Sequence, residues 1–250
     1  MYYYAVSDKG SVKDVNQDSI LIKKWKSEDG ITCVMGCICD GMGGLSAGEK
    51  ASYTAALMYS QWFADKLPQI YQDMDKIKVS FAECSQAVNH KIYSFGKENG
   101  FRLGTTVSGI LIIGDQYLTF NVGDSRVYRS HAKQFVQITR DNSFVQDEID
   151  AGRMTPEEAE QSGRDHLLTR CLGGYAVLEA VDFTTGQTLP GDKFVFCSDG
   201  ARHVVTSKEY AILFSNIRSK EDLVGKLPQV IDEIIRRGES DNISIGCIAI

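Results

Sequence analysis

Short strand-like runs in three groups constrain the fold of this chain more than any other feature. The first group contains "YYYAVSD", "SILIKKW" and "ITCVMGCIC". A central group contains "TTVSGILII", "QYLTFNVG", "SRVYRS" and "QFVQIT", and a late group contains "AVLEAVDF", "KFVFCS" and "NISIGCIAI". The spacing of these runs and the short turns between them favour antiparallel pairing over βαβ crossovers.

Helical segments separate the strand groups. Ser46 and Glu49 match a capping box and predict a helix through "AGEKASYTAALMYSQWFADKL". A second helix is predicted over "KVSFAECSQAVNHKIYSFGK". Thr155, Pro156 and Glu158 supply an N-cap, an N1 proline and a capping-box glutamate, which predict a short helix.

A last helical pair spans "SKEDLVGK" and "PQVIDEIIRRG", with a predicted break near Pro228 and an end at Gly238. Helices that bunch early and late, with strands between them, predict an α+β fold. We expect a central β-sandwich of two antiparallel sheets flanked by helices on both outer faces, α-β-β-α. Because the chain has no repeat, low-complexity linker or Pro-rich break, residues 1–250 are predicted to form one domain.

Composition excludes several classes of partner. A net charge of -6 gives no reason to expect nucleic acid or an anionic membrane as the main partner. No run approaches the ~18 apolar residues of a transmembrane helix, and "MYYYAVSDKG" lacks the pattern of a signal peptide. The 7 cysteines include strand residues such as Cys37 and Cys39, and no second Cys or His pair has zinc-ligand spacing. Buried, reduced cysteines and a cytoplasmic location are therefore expected.

Five aspartates lie beside Gly, Ser or Asn where predicted strands begin or end. Any one of them alone is more simply a turn residue or a cap. They are Asp18 in "NQDS", Asp40 in "CDGMGG", Asp124 in "NVGDSR", Asp199 in "CSDG" and Asp241 in "ESDN".

Strand ends from both sheets of a packed sandwich converge at one rim, so these five carboxylates are predicted to meet. They would repel one another and take up protons unless a cation neutralised them. Oxygen ligands without His or Cys select Mg²⁺ or Mn²⁺. The bare backbone after Asp40 would let an ion or its waters approach the Gly41 carbonyl.

Two such ions, about 3.5–4 Å apart, can activate a bridging water and clamp phosphate oxygens. This chemistry predicts metal-assisted hydrolysis of a phosphoester without a covalent enzyme intermediate. The chain has neither the Cys-x5-Arg loop of a thiol phosphatase nor a His pair for a phosphohistidine route.

The ordered motifs resemble the metal-dependent Ser/Thr protein phosphatases (PPM, protein phosphatase 2C type) in their compact bacterial form. "SDKGSVKDVNQDSI" resembles the opening signature, and "CDGMGG", "LGTTVSGILI" and "NVGDSRVYR" resemble the central ones. "FCSDG" and "SDNISIGCIAI" match the closing signatures. "TRDNSFVQDEIDAGRMTPEEAEQSGRDHLLTRCLGG" resembles the mobile flap, which we expect over residues 141–175.

The resemblance implies a role for each matching residue. Asp40 would bridge two Mn²⁺ or Mg²⁺ ions, and the Gly41 carbonyl would bind one of them. Asp199 and Asp241 would bind the other ion, and Asp124 matches a third, weaker position. Asp18 would order metal-bound water, so that Asp18 and Asp40 are the predicted catalytic residues.

Three positions depart from the family pattern, and the pattern does not assign a role to a fourth. Lys13 stands where the family usually has an Arg that grips substrate phosphate, so it keeps the charge but loses the bidentate fork. Gln17 stands where many members have Glu. His203 stands where several members have an Asp that helps the third ion. His166 falls in the flap, where it either faces the cleft or is a surface histidine.

The resemblance implies a protein-serine/threonine phosphatase in which a hydroxide bridging the two ions attacks phosphoserine or phosphothreonine. Its expected partners are phosphorylated Ser/Thr proteins, including a partner Ser/Thr kinase, and monomers are common among members of this size. One alternative is an NTPase, but Glu49 in "GGLSAGEKAS" breaks the Walker A spacing. The other is a pseudophosphatase that only binds phosphoproteins, although such members typically lose a metal aspartate and Asp40, Asp199 and Asp241 are all present here.

Overall fold

Two antiparallel β-sheets face each other in the structure, a computed structural model that describes residues 1–43 and 47–250. The strands are β1 (Tyr2–Asp8), β2 (Asp18–Lys26), β3 (Thr32–Gly43), β4 (Leu103–Thr105), β5 (Val107–Ile113), β6 (Gln116–Val122), β7 (Arg126–His131), β8 (Gln134–Gln137), β9 (Asp182–Gln187), β10 (Lys193–Cys197) and β11 (Ile243–Ala249). One sheet has the order β1-β11-β10-β7-β8, and the other has the order β2-β3-β5-β6-β9 with β4 paired to the end of β3.

The helices are α1 (Gly48–Asp65), α2 (Leu67–Ile70), α3 (Met74–Asn99), α4 (Phe144–Asp150), α5 (Pro156–Gln161), α6 (Ser207–Ser215) and α7 (Lys220–Arg236). A 3-10 turn spans Asp199–Ala201. None of the described helices is long and apolar enough to cross a lipid bilayer.

The apolar layer between the sheets is built from alternating strand residues. Val34, Ile110 and Phe194 are buried in this layer. Phe196 in β10 lies against Gly36 of the facing sheet, where an added Cβ would come within 2.6 Å of its ring. The absence of a side chain at Gly36 therefore lets the two sheets approach across a large aromatic residue.

Helices cover the outer face of each sheet. On the β2-β3-β5-β6-β9 side, Tyr59 of α1 stacks on Phe81 of α3 at 4.8 Å between ring centroids, and Phe81 lies 4.2 Å from Phe120 of β6. On the other side, α6 and α7 bury Phe214 and Leu227 among residues of β10 and β11. This arrangement confirms the α-β-β-α fold predicted from the strand and helix pattern.

Several predicted elements differ from the structure. Helix α7 runs unbroken through Pro228, so the predicted break there is wrong; buried residues on both sides of the proline hold the helix against the sheet. The strand predicted over "AVLEAVDF" is displaced, because β9 begins only at Asp182. Helix α6 was not predicted, although Thr206 and Glu209 form its capping box.

Other local predictions are confirmed or lie outside the described residues. Thr155 and Glu158 form the predicted capping box of α5, with Pro156 at its first position. The predicted cap at Ser46 lies outside the described residues, and α1 is described from Gly48. All 7 cysteines are free, and most of them are buried, as the sequence analysis expects.

Candidate functional site

Both sheets bring aspartates to one end of the sandwich. Asp18 is the first residue of β2 and is the register partner of Asp40 in β3. Asp124 lies between β6 and β7, where the chain passes from one sheet to the other. Asp199 follows β10, and Asp241 precedes its neighbour β11. The predicted convergence of the five aspartates is therefore a consequence of the sheet topology.

One cavity of about 1130 Å³ connects most of these groups. Its acidic end is lined by Asp40, Gly41, Asp124, Asp199 and Asp241, together with Lys13 and Gln17. Asp18 lies just behind this surface, is 9% exposed, and accepts a hydrogen bond from Ser198 Oγ at 2.8 Å. We call this end of the cavity the acidic site.

Asp40 differs from the other four because it lies inside a strand and not at its end. β3 pairs with β5 as far as Ile38 and then pairs with β4 from Gly41 to Gly43. Gly41 is required by close packing: a Cβ there would collide with Gly48 O and come within 2.5 Å of Gln17 O. The prediction that the strand ends at Asp40 is therefore wrong, because β3 continues to Gly43.

Burial and the charges of neighbouring aspartates favour the protonated forms of Asp40 and Asp18. Burial, followed by the charges of Asp18, Asp199, Asp124 and Asp241, raises the pKa of Asp40 well above its usual range. Burial is also the main cause that raises the pKa of Asp18 to about 7, against the opposing effect of the nearby Ser244 and Ser198 hydroxyls. These carboxylates need either protons or a cation in order to share the space.

Asp124 experiences the same burial. Its pKa is raised to about 7, mainly by burial and then by the charge of Asp199, while Arg202 acts in the opposite direction. Nη2 of Arg202 lies 3.5 Å from Oδ2 of Asp124, and the Arg202 side chain is only 15% exposed. A protein cation therefore already lies beside the position predicted to hold a third ion.

Two of the carboxylates already contact other protein groups. Asp241 faces Lys13 at 3.1 Å, and Asp199 accepts a hydrogen bond from the Gly200 amide at 2.6 Å. In residues 1–43 and 47–250, no three His, Cys, Asp or Glu side chains are gathered closely enough to hold an ion as they stand. An ion would have to draw these side chains away from their present partners.

The chemistry of the donors nevertheless fits a hard divalent cation. Oδ1 of Asp18 is buried and has no hydrogen-bond partner among the described groups, which is costly for a carboxylate oxygen. The lining groups are carboxylate and carbonyl oxygens, the ligands that Mg²⁺ and Mn²⁺ prefer. The acidic site therefore has the right donors for such an ion.

Asn242 connects the acidic site to the loop that carries Lys13. Its Oδ1 accepts a hydrogen bond from the Gln17 amide at 2.9 Å. Its Nδ2 donates to the carbonyls of Lys9, at 2.9 Å, and Val15, at 3.1 Å. The residue after Asp241 thus holds residues 9 to 17 against the loop of that aspartate.

Glu239 is a buried site residue that the sequence analysis missed. Its Oε1 accepts hydrogen bonds from the amides of Ser240, at 2.8 Å, and Asp241, at 2.9 Å. Its Oε2 lies 3.1 Å from Nδ1 of His203, whose Nε2 lies 3.7 Å from Asp199. His203 therefore lies between Glu239 and Asp199, outside the lining of the cavity, and not at the cavity face of Asp124.

The last part of the segment predicted as a flap, from His166 to Tyr175, lines the outer end of the cavity. The two arms of the flap segment meet where the Phe144 amide donates to Leu167 O at 2.8 Å. At its base, Asp182 accepts hydrogen bonds from Asn142 Nδ2, at 2.7 Å, and Arg170 Nη1, at 2.9 Å. The side chain of His166 is 70% exposed and also lines the cavity, so it is both a surface and a cleft residue.

The fold and the site together define the class of protein. It is an α-β-β-α protein whose acidic cleft offers oxygen donors, which is typical of metal-dependent hydrolases. The sequence profile described as "Protein phosphatase 2C" matches residues 9–238, and this chain belongs to that family. The family, the fold and the phosphatase class predicted from the sequence are confirmed.

Relatives and solved structures agree with this assignment. A protein phosphatase 2C-type protein of Streptococcus pyogenes serotype M6 is 30% identical over 97% of this chain and 94% of that protein. The S. agalactiae serine/threonine phosphatase structure has a TM-score of 0.84 and 26% identity, and the match covers 98% of each chain. The catalytic domain of the phosphatase PstP, in complex with 2 manganese ions, has a TM-score of 0.79 and 27% identity over 99% of this chain and 97% of that one.

Proposed function

We propose that this protein is a metal-dependent protein serine/threonine phosphatase that hydrolyses phosphoserine and phosphothreonine at the acidic site. One observation carries the proposal: Asp40 from one sheet and Asp199 and Asp241 from the other line a single cavity together with the cation Lys13. Membership of the protein phosphatase 2C family supports it.

The proposed ligands of two Mn²⁺ or Mg²⁺ ions are Asp40, the Gly41 carbonyl, Asp199 and Asp241. The PstP structure, in complex with 2 manganese ions, supports the number and kind of ions by similarity. When bound, such ions supply a Lewis acid for phosphoester hydrolysis and neutralise the carboxylates. A third ion at Asp124 would compete with Arg202, so we propose that this position is weak.

Two protein groups act directly on the substrate or its water. The Lys13 ammonium lies at the cavity wall and is 41% exposed, so it can leave Asp241 and hold a phosphate oxygen. The Asp18 carboxylate is fixed by Ser198 through Oδ2. Its Oδ1 is buried and has no partner among the described groups, so it would accept a hydrogen bond from a water admitted to the acidic site.

Residues 141–175 are proposed as the flap that shapes access to the acidic site, within one domain spanning residues 1–250. The cellular setting is proposed by family resemblance: bacterial signalling in the cytoplasm, with phosphorylated Ser/Thr proteins as substrates and a Ser/Thr kinase among the partners. We propose that the protein acts as a monomer.

Hydrolysis of p-nitrophenyl phosphate and of a phosphothreonine peptide tests the proposal. We expect turnover of both with Mn²⁺ and loss of turnover with EDTA, restored by excess Mn²⁺. Asp40→Asn is the matched control and should be inactive while remaining folded by circular dichroism. Metal-independent turnover would overturn the mechanism, and no turnover at high enzyme concentration would favour the pseudophosphatase alternative.

A further inference from the structure

The cavity extends well beyond the acidic site. Its outer part runs between the end of α3 and the segment that follows the flap helices. We call this part the outer groove, lined by Tyr93, Lys97, Phe101, Arg102, Leu167 and Tyr175. A phosphorylated side chain at the acidic site would leave the outer groove free for other parts of the same substrate.

The walls of the outer groove expose large apolar side chains. Phe101 is 39% exposed, Leu167 is 44% exposed and Tyr175 is 71% exposed. Phe101 is held edge-on by Phe95, with their ring centroids 5.9 Å apart. Exposed aromatic and aliphatic groups that line a concave surface, and not a flat one, are typical of a binding site for an apolar side chain.

The same groove carries positive charge. Lys97 is in the last turn of α3, and Arg102 follows two residues after Gly100, which ends the helix in a left-handed conformation. Both side chains are exposed, and within the described parts of the chain neither lies within 4.0 Å of a carboxylate. The cavity therefore has one acidic end, suited to cations, and one basic end, suited to acidic side chains.

Strand β3 sets the distance between the two ends. Asp40 lies in the acidic site, and Met42 and Gly43 of the same strand line the cavity on the way to Leu103 and Arg102. Three residues of strand from Asp40 to Gly43 span about 10 Å. An extended substrate rises by a similar amount per residue, so its side chains about two to four residues from the phosphorylated one would reach the outer groove.

We propose that the outer groove selects phosphoserine and phosphothreonine segments that carry a large apolar residue and an acidic residue close to the phosphorylated residue on one side. This inference rests on the proposed phosphatase function and adds the class of substrate sequence. The apolar residue packs between Phe101 and Tyr175, and the acidic residue pairs with Lys97 or Arg102. The groove continues directly from the acidic site, so one chain can occupy both.

Phosphothreonine peptides of equal length test the selection. The parent peptide has alanine at the positions flanking the phosphothreonine, and its derivatives carry Phe, Glu or both, on either the N-terminal or the C-terminal side. With Mn²⁺ present, we expect one side to give a kcat/KM about tenfold above the parent, mainly through KM, because desolvated apolar contacts and charge pairs each contribute severalfold. Equal kcat/KM for all peptides that are hydrolysed would overturn the proposal.

Charge reversal identifies the residues responsible. A Lys peptide that carries Lys in place of the Glu is compared with the Glu peptide. In the double variant Lys97→Glu and Arg102→Glu, the Lys peptide should have the higher kcat/KM. The ratio of kcat/KM for the Glu peptide to that for the Lys peptide should fall by about tenfold or more. Lys24→Glu is the matched control, because Lys24 is an exposed lysine six residues along β2 from Asp18, about 20 Å away. A ratio that is unchanged in the double variant, or that inverts equally in the control, would refute the role of Lys97 and Arg102.

Binding separates failure of this inference from failure of the proposed function. Fluorescence anisotropy of labelled peptides that carry a non-hydrolysable phosphonate analogue of phosphothreonine, measured with Mn²⁺ present, requires no turnover. We expect the Phe and Glu peptide to bind at least about fivefold more tightly than the parent. That preference without any hydrolysis would support the groove and refute the phosphatase, whereas hydrolysis without any preference in binding or kcat/KM would refute the groove alone.

Discussion

Nζ of Lys13 lies 3.1 Å from Oδ1 of Asp241, so a protein cation contacts one of the proposed metal ligands. The two side chains are 41% and 39% exposed, and an ion pair with that exposure contributes only about 0–1 kcal/mol to stability. The pair is therefore of little use for folding. Its place at the cavity wall favours a role in which Lys13 moves from Asp241 to the substrate phosphate.

Lys13→Met should weaken phosphate binding without unfolding the protein. Loss of one charge-assisted contact to phosphate is expected to raise KM for p-nitrophenyl phosphate by about tenfold. The melting temperature should change by less than about 2 °C, because the pair is exposed. Lys13→Arg is the matched control, and it should keep or lower KM since the guanidinium can bind two phosphate oxygens. An unchanged KM in Lys13→Met would show that Lys13 does not touch phosphate.

Asp40→Asn should separate stability from activity. The amide keeps the size of the side chain but is neutral by itself, so it needs neither the proton nor the cation that the Asp40 carboxyl requires beside four other aspartates. We expect loss of Mn²⁺-dependent turnover by at least about a hundredfold, together with an increase of about 1 kcal/mol in the unfolding free energy of the metal-free protein. Urea denaturation in EDTA and the p-nitrophenyl phosphate assay measure the two effects. Near-full activity would remove Asp40 from the proposed active site.

The sequence predicts the fold and the shared location of the aspartates because both leave local patterns. The aspartates at 18, 124, 199 and 241 lie next to turn residues at strand ends, and antiparallel topology places those ends together. Asp40 is the exception because it lies inside a strand. Its strand continues past Asp40 only because Gly41 pairs with Thr105. A partner strand more than sixty residues away cannot be read from the motif itself.

The less predictable features all depend on contacts between distant residues. Glu239 and His203 carry no spacing signal, because they meet only when the loops after β10 and before β11 pack together. The uninterrupted α7 is another example, since burial of Leu227 and Ile231 outweighs the local effect of Pro228. Tertiary packing decides both features. The contact between Glu239 and His203 leaves no periodic pattern in the sequence, whereas α7 does, because its buried residues recur at helical spacing across Pro228.

Glu239→Ala should damage the loop of Asp241. The change leaves the amides of Ser240 and Asp241 without their acceptor and removes the partner of His203. We expect a loss of about 2–3 kcal/mol in unfolding free energy. Calorimetric titration with Mn²⁺ should also show binding weakened by about tenfold, a typical effect of losing a residue that orients a metal ligand. Glu239→Gln retains the acceptor for both amides and should lose less than half as much stability; equal losses in the two variants would contradict this role.

The metal-free protein should become less stable as the pH rises from 5 to 8. Asp18 and Asp124 have pKa values of about 7 in the folded protein, above the ordinary value of 3.8 for an aspartate. A raised pKa means that folding favours the protonated form, so this stability is complete below pH 3.8 and is lost as the pH rises through about 7. In EDTA, the melting temperature should fall by on the order of 5 °C between pH 5.5 and pH 8.

Two controls assign this pH dependence to the acidic site. Glu209 and Glu233 have pKa values lowered to about 2, so their contribution is lost only under more acidic conditions and stays constant between pH 5 and pH 8. Asp124→Asn should flatten the melting curve against pH, and saturating Mn²⁺ should do the same by neutralising the carboxylates. The same slope with and without Mn²⁺, and in Asp124→Asn, would show that other groups cause it.

Removal of the flap tip should change the choice of substrate more than the chemistry. The residues that flank 145–166 are close together, because the Phe144 amide donates a hydrogen bond to Leu167 O. A short Gly-Ser linker can therefore replace residues 145–166 without stretching the chain. Hydrolysis of a phosphoprotein should fall by about tenfold or more relative to hydrolysis of p-nitrophenyl phosphate, because only the larger substrate contacts the flap surface. Asp182→Asn keeps the tip but weakens the base that Asn142 and Arg170 anchor, so it should shift the same ratio by a smaller factor. Equal losses on the two substrates in the shortened protein would show that the flap supports the acidic site itself and does not select the substrate.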